Sequence, residues 1–408
     1  TKLKHKKTRT MNRVVIIGGG YGGLKAAKWL AGQKNIYVTL IDKHKYHYLQ
    51  TDAYDFIANK SDISDITLSL ESFIAGLGEN LEFVNDEVIF INSNANEIHT
   101  KNLSIYYDYL IIATGSLTNF PSQIKGIKEF SNGVKTLFRA LEFKQKFENT
   151  IFEFLKQSFG ESSKKFNIVV GGAGLSGVEI AAEMAYIVEQ YCDAIGIKND
   201  SVSITLIEGS KSVLPGIHSN IVKIAQKRLD QLGVILKLDS FISELNQEYL
   251  VLASGEVVYY DFMIFTGGIK ARTINSDLEM NLNRSNQIIV DEYFRVNAKV
   301  SNIFAIGDAA EISVRGEIVP STAQSAEQAG IFCAKNILNE IAKKEMKKYE
   351  PRIYGMFVAL GGKFGVGVLL NTAIIKGYKA YLLKKIIAFF YKIVLKHKID
   401  KGYRKLHR

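Results

Sequence analysis

Cysteine is almost absent from this sequence: Cys192 and Cys333 are the only two among 408 residues. Two thiols cannot build a disulfide framework, nor a four-cysteine zinc or iron–sulfur centre, and no metal site is expected. Proline is scarce at 4 residues and tryptophan stands at 1, which excludes collagen-like and Pro-rich low-complexity chains. Long apolar runs are missing too. The longest charge-free stretches, around residues 166–178 and 364–375, fall short of the roughly 18 apolar residues a membrane-spanning helix requires. What is present is 47% hydrophobic and 23% charged residues. That balance suits packed cores, and at roughly 100–200 residues per domain the length suits two domains and a small third.

The net charge of +11 would by itself suggest nucleic acid, but the charge sits at the ends. Residues 1–13 carry +6 and residues 376–408 carry +10, which leaves the body between them at −5. No nucleic-acid partner is therefore expected. Residues 1–12 form a basic arm without the apolar core of a secretory signal, and Met11 resembles a natural start. The C-terminal run YKAYLLKKIIAFFYKIVLKHKI interleaves lysines with large apolar side chains. Lys385, Lys392 and Lys396 fall on one helical face, and Leu382, Leu383, Ile386, Ile387, Phe389, Phe390, Ile393 and Val394 cover most of the remainder. Such a helix suits the surface of an anionic membrane, with lysines at the headgroups and apolar residues in the acyl boundary. The alternative is packing on the body or on a second subunit, as in a homodimer.

Two segments repeat one pattern. RVVIIGGGYGGL at 13–24 and NIVVGGAGLSGV at 167–178 are each a β-branched run, a glycine cluster and a helix-like stretch. Each is followed by a second apolar run ending in an acid, YVTLID at Asp42 and VSITLIE at Glu208. This predicts an α/β protein with two Rossmann-like dinucleotide-binding domains on parallel sheets. In the first cluster, Gly18, Gly19, Gly20, Tyr21, Gly22 and Gly23, the glycines at 18, 20 and 23 form G-x-G-x-x-G. They permit the turn, the approach of a pyrophosphate and close helix–strand packing, in that order. Asp42 stands where a carboxylate can accept from a ribose. Gly172, Gly174 and Gly177 repeat the pattern with Glu208, whose charge favours a free 2′-hydroxyl and so NADH over NADPH.

YDYLIIATG, with Thr114 and Gly115, and NIFAIGDA, with Asp308, complete a trio with the first cluster. The trio is similar to the two-dinucleotide-domain flavoprotein superfamily, in which the Gly-Asp carboxylate binds the ribityl chain. The resemblance implies non-covalent FAD at the first cluster and hydride transfer from NADH at the second. DFMIFTGG at 261–268 returns the chain to the FAD domain and brings Gly268 beside the nicotinamide. The implied boundaries are 13–122 with 285–345 for FAD, 123–284 for NADH, and 346–408 for a small membrane-associating region with amphipathic helices.

The segment YHYLQTDAYDFIANK contains no cysteine where a dithiol reductase needs a C-x4-C pair. Sulfide:quinone oxidoreductases share the architecture but use redox cysteines near the flavin. Cys192 is in the wrong place for that, and Cys333 in IFCAKNIL reads as core. PSTAQSAEQAG at 320–330 contains A-Q-x-A-x-Q, which resembles the quinone-site motif of type II NADH dehydrogenases, the single-subunit NADH:quinone oxidoreductases. Gln324 and Gln328 are i and i+4 on one helical face, and neutral amides can bond quinone carbonyls without a buried charge. The resemblance covers about residues 13–400. It implies a functional carboxylate at Glu179, relaying protons or positioning nicotinamide, where the plain alternative is a helix N-terminal acid. It also implies FAD contacts at Asp42, Lys43, His47, Val88, Ala323 and Lys384, and a quinone-tunnel position at Lys363. The expected activity is non-proton-pumping NADH:quinone oxidoreduction at the cytoplasmic face of the cell membrane. A sulfide:quinone or other NADH:acceptor flavin reductase is the alternative.

Overall fold

The computed structural model describes residues 11–157, 165–196, 201–297, 299–370 and 372–407. Nearly all of the basic N-terminal arm lies outside them.

The β-branched runs become the central strands of two sheets. In the first, Asn12–Ile17 lies between Ile36–Asp42 and Tyr109–Ile112, all parallel. Leu81–Asn85 extends one side and Val300–Ala305 the other, with Arg295–Asn297 at the edge. The sheet is thus closed by chain from far downstream. In the second sheet the order is Val234–Lys237, Val202–Ile207, Phe166–Gly171, Phe262–Phe265, again parallel. Parallel strands covered on both faces need apolar residues throughout, and Val14, Val15, Ile16, Ile168 and Val170 are fully buried. A short antiparallel pair, Ser116–Thr118 with Ile269–Ala271, joins the two lobes.

The last part is a three-stranded antiparallel sheet, Gly355–Ala359, Gly365–Leu369 and Ala373–Gly377, followed by one long helix, Tyr378–Leu406. Among the described residues of 346–408 a single helix forms, where several were expected. No helix among the described residues is long and apolar enough to cross a membrane. The C-terminal helix docks on Leu70–Leu77 with backbones in contact: a β-carbon on Gly402 would stand 1.8 Å from the Ser72 carbonyl oxygen. Its orientation corrects the expectation that Lys385 and Lys392 face headgroups, while Lys396 of that face is exposed. Lys385 reaches Asp55 at 2.5 Å, Lys392 reaches Asp52 at 2.6 Å, and Lys384 pairs with Glu179. The acidic body attracts the basic helix, so these lysines point inward. The outward stripe is Leu382, Ile386, Phe389, Phe390 and Ile393, and Phe389 and Phe390 are about three-fifths exposed at 59% and 60%.

Candidate functional site

Each glycine cluster turns directly from strand to helix, and the backbone shows why glycine is needed. Gly18 has φ +110° and Gly172 has φ +94°. A β-carbon on Gly23 would sit 1.9 Å from the Gly18 carbonyl oxygen, and one on Gly177 would sit 1.8 Å from that of Gly172. The middle glycines differ: nothing lies within 4 Å of a β-carbon on Gly20 or Gly174. These two open positions, each at the N-terminus of a helix (Tyr21–Leu30 and Leu175–Ile195), are cradles a phosphate pair can enter. The rim acids take matching bonds. Asp42 Oδ2 accepts from the Gly19 amide at 2.7 Å, and Glu208 Oε2 accepts from the Ala173 amide at 2.6 Å.

A dinucleotide fits the first cradle on these observations. Asp308, on the turn after Val300–Ala305, accepts from Ser116 Oγ at 2.6 Å and from Lys135 Nζ at 3.0 Å. Thr114 Oγ1 donates to the Arg272 carbonyl at 3.0 Å, and Gly115 adopts φ +69°. Tyr21 meets Thr51 at 3.1 Å and stacks edge-on against His47. His47 is buried, with Nδ1 3.0 Å from the Gly19 carbonyl oxygen and Nε2 3.1 Å from Tyr391 Oη. Burial lowers its pKa to about 4, so the ring is neutral. Lys43 pairs with Glu87 at 3.0 Å, next to Val88 at the start of Val88–Asn92. Gly268, with φ +100° and open space around it, follows the strand whose last residue, Phe265, pairs with Gly171.

The second cradle leads into a buried polar seam. Glu179 accepts from the Ala359 amide at 2.9 Å and from Lys384, and burial raises its pKa above the usual carboxylate range. Lys384 is therefore held at Glu179. One turn on, Glu183 is buried against Lys60, whose ammonium also donates to the Gly362 carbonyl at 3.1 Å. Tyr54 Oη donates to Ser176 Oγ at 2.8 Å. Sequence reasoning missed Lys60, Tyr54, Lys135 and Tyr391; their partners lie between 122 and 344 positions away, so no local spacing marks them. The stretch that lacks a dithiol nonetheless joins the two clusters: His47 touches the first and Tyr54 the second.

The amides separate. Ala323 opens the helix Ala323–Ile341, capped by Thr322 Oγ1 accepting from Ser325 N at 3.1 Å. Gln328 is engaged on both ends by the Arg352 backbone, accepting at 2.9 Å and donating at 2.6 Å. Gln324 is half-buried one turn closer to the helix start. Lys363 is exposed on the loop 360–364. Cys192 and Cys333 are fully buried and unpaired, and burial pushes both thiols up.

The sequence profile of the pyridine nucleotide-disulphide oxidoreductase family matches residues 12–330. Among curated proteins, the chain is 28% identical over 395 residues to the type II NADH:quinone oxidoreductase of Haemophilus influenzae, covering 88% of each chain. It is 28% identical over 386 residues to that of Staphylococcus aureus, covering 92% of this chain and 94% of the relative. Among solved structures, NDH2 from Plasmodium falciparum in complex with NADH superposes with a TM-score of 0.83 at 19% identity, over 96% of both chains. The sulfide:quinone oxidoreductase of Aquifex aeolicus superposes at 0.79 and 21% identity, over 95% of this chain and 92% of that one. At these identities the two structures speak for the fold.

Proposed function

The chain belongs to the pyridine nucleotide-disulphide oxidoreductase family, and from that premise we propose that it is a non-proton-pumping, FAD-dependent NADH:quinone oxidoreductase of the type II kind. The observation that carries this reading is the convergence of both cradles on one cysteine-free segment, through His47 on Gly19 and Tyr54 on Ser176. A family member without a dithiol needs another acceptor, and the relatives named for quinone reduction match over nearly the whole chain.

Residues 13–122 and 285–345 hold FAD, through the Gly18–Gly20–Gly23 cradle, Asp42 on the ribose and Asp308 on the ribityl chain. When bound, the flavin supplies two-electron transfer between NADH and a quinone. Residues 123–284 bind NADH at Gly172, Gly174 and Gly177, and the Glu208 carboxylate repels a 2′-phosphate. Glu179, whose pKa burial raises above the usual carboxylate range, is placed to relay a proton on the acceptor side, with Lys384 as its partner. Gln324 orients a quinone carbonyl. Gln328 fixes the C-terminal region through Arg352. Residues 346–408 associate with the cytoplasmic face of a cell membrane through the outward apolar stripe of the last helix, which gives access to a lipid-dissolved quinone.

Sulfide chemistry is disfavoured because Cys192 and Cys333 are free, fully buried and carried by different helices, Leu175–Ile195 and Ala323–Ile341. The test is steady-state oxidation of NADH and NADPH with ubiquinone and menaquinone analogues, in the wild type and in a Cys192→Ser/Cys333→Ser variant. NADH-driven quinone reduction that survives loss of both thiols is expected. Activity that depends on the thiols and on sulfide would reverse the assignment.

A further inference from the structure

At the start of the C-terminal helix, against the edge strand Ala373–Gly377, lies an open groove of about 530 Å³. Its wall is aliphatic: Ile374, Ile375, Leu382, Leu383 and Ile386. Its volume falls within the roughly 300–1,000 Å³ typical of small-molecule sites. Lys376 and Lys379 complete the lining, and both are exposed. Lys376 on the edge strand and Lys379 on the helix differ from the helix lysines that face the body. Lys384, Lys385 and Lys392 are each neutralised by a carboxylate of the body. No carboxylate among the described residues pairs with Lys376 or Lys379. An apolar trough with two uncompensated cations is complementary to one kind of molecule, an anion with a hydrocarbon tail.

We propose that this groove is a binding site for a single anionic phospholipid, its phosphate between Lys376 and Lys379 and one acyl chain along Ile375, Leu382, Leu383 and Ile386. The placement follows from continuity. Leu382 and Ile386 begin the outward stripe that runs on through Phe389, Phe390 and Ile393, so a lipid seated here has its chain aligned with the face that meets the acyl boundary. A neutral quinone tail would gain nothing from the lysines. A second copy of the chain pairing along the edge strand would have to bring carboxylates to meet them. The proposal rests on the reading of residues 346–408 as membrane-facing and sharpens it, from general adhesion to a headgroup-selective site.

The test uses the full-length flavin-loaded protein and calorimetric titration with monomeric myristoyl lysophosphatidylglycerol. Myristoyl lysophosphatidylcholine is the zwitterionic comparison and glycerol phosphate the tail-less anion. Each lysine near an anionic headgroup contributes about fivefold, so the anionic lipid is expected to bind about 25-fold more tightly than the zwitterionic one. Lys376→Gln/Lys379→Gln should erase that ratio, and Lys376→Arg/Lys379→Arg should keep it. Glycerol phosphate at equal concentration should not displace the lipid. Equal affinity for the two lipids would overturn the proposal. So would an unchanged ratio in the Gln variant, displacement by glycerol phosphate, or a dimer that blocks lipid uptake. NADH turnover with a short-chain soluble quinone is read in the same samples and is expected to be unchanged in both variants. A wild type that binds lipid selectively but does not turn over would refute the catalytic reading and leave the lipid site standing.

Discussion

At the first glycine cluster Gly18, Gly23 and Asp42 take the same positions as Gly172, Gly177 and Glu208 at the second, yet the two cradles are braced differently. The first is held from far along the chain. His47 sits on the Gly19 carbonyl, Tyr391 of the C-terminal helix sits on His47, and Lys25 pairs with Glu327 at 2.8 Å. Gly22 lies against the helix Ala323–Ile341, where a β-carbon would stand 3.0 Å from the Ala326 carbonyl oxygen. At the second cradle the turn itself is held within its own lobe. The Ala173 carbonyl, counterpart of Gly19, accepts from Leu214 N at 2.8 Å, and Glu208 accepts from Ala173 and Ser210. The distant ties, Tyr54 on Ser176 and Lys384 on Glu179, fall on the helix beyond the turn. A site that keeps its nucleotide through every turnover benefits from bracing. A site whose nucleotide must leave each cycle is better left open.

The largest expected effect comes from the paired substitutions Gly23→Ala and Gly177→Ala, each of which drives a methyl into backbone. Gly23→Ala should lose the flavin absorbance. Gly177→Ala should stay yellow while flavin reduction by NADH slows by about 1,000-fold or more, a barrier rise of about 4 kcal/mol. The reverse pattern would mean the cradles are assigned the wrong way round.

Asp308→Ala comes next. It removes a carboxylate that accepts from Ser116 and Lys135, and it should weaken flavin retention by about 100-fold in equilibrium dialysis, with NADH affinity unchanged. Equal weakening of both nucleotides would show a folding defect and no site selectivity.

The bracing itself has a pH signature. Burial holds His47 at about 4 against 6.5 for the free side chain, so the unfolded chain takes up the proton first. Its contribution is complete above 6.5 and is lost as pH falls toward 4. Between about pH 7 and about pH 5 the protein should lose about 2 kcal/mol of stability from this residue. Urea midpoints across that range should show the slope in the wild type and a flatter one in His47→Gln. Parallel slopes would remove His47 from the account.

The smallest effect separates the two amides. Gln324→Ala should raise the KM for quinone about fivefold, the cost of about one hydrogen bond, with NADH reduction of the flavin unaffected. Gln328→Ala should lower thermal stability instead, because its amide ties Arg352 to the helix. A shared KM effect would put both side chains on the quinone.

Much of the first-order architecture was readable because it is written locally. The β-branched runs, the glycine spacing and the rim acids Asp42 and Glu208 all lie within one strand–turn–helix–strand unit, where side-chain chemistry and backbone demand coincide. The seam around Glu179 was not readable, since Lys384, Lys60, Glu183 and Tyr54 converge only when three distant segments pack. The C-terminal helix shows the same limit in another form. Helical periodicity correctly grouped Lys385 with Lys392, but it carried no information about which face meets the body. That was settled by Asp52 and Asp55, more than 300 residues upstream. The two glutamines shared a face as their spacing required, and tertiary packing then gave Gln328 to the Arg352 backbone.

The most direct measurement is anaerobic rapid mixing of the purified yellow protein, first with NADH and then with a short-chain quinone, followed at the flavin absorbance band. The account predicts bleaching by NADH, much slower bleaching by NADPH, and full recovery of colour on addition of quinone without oxygen. A flavin that NADH does not bleach, or one that stays bleached in the presence of quinone, would contradict it.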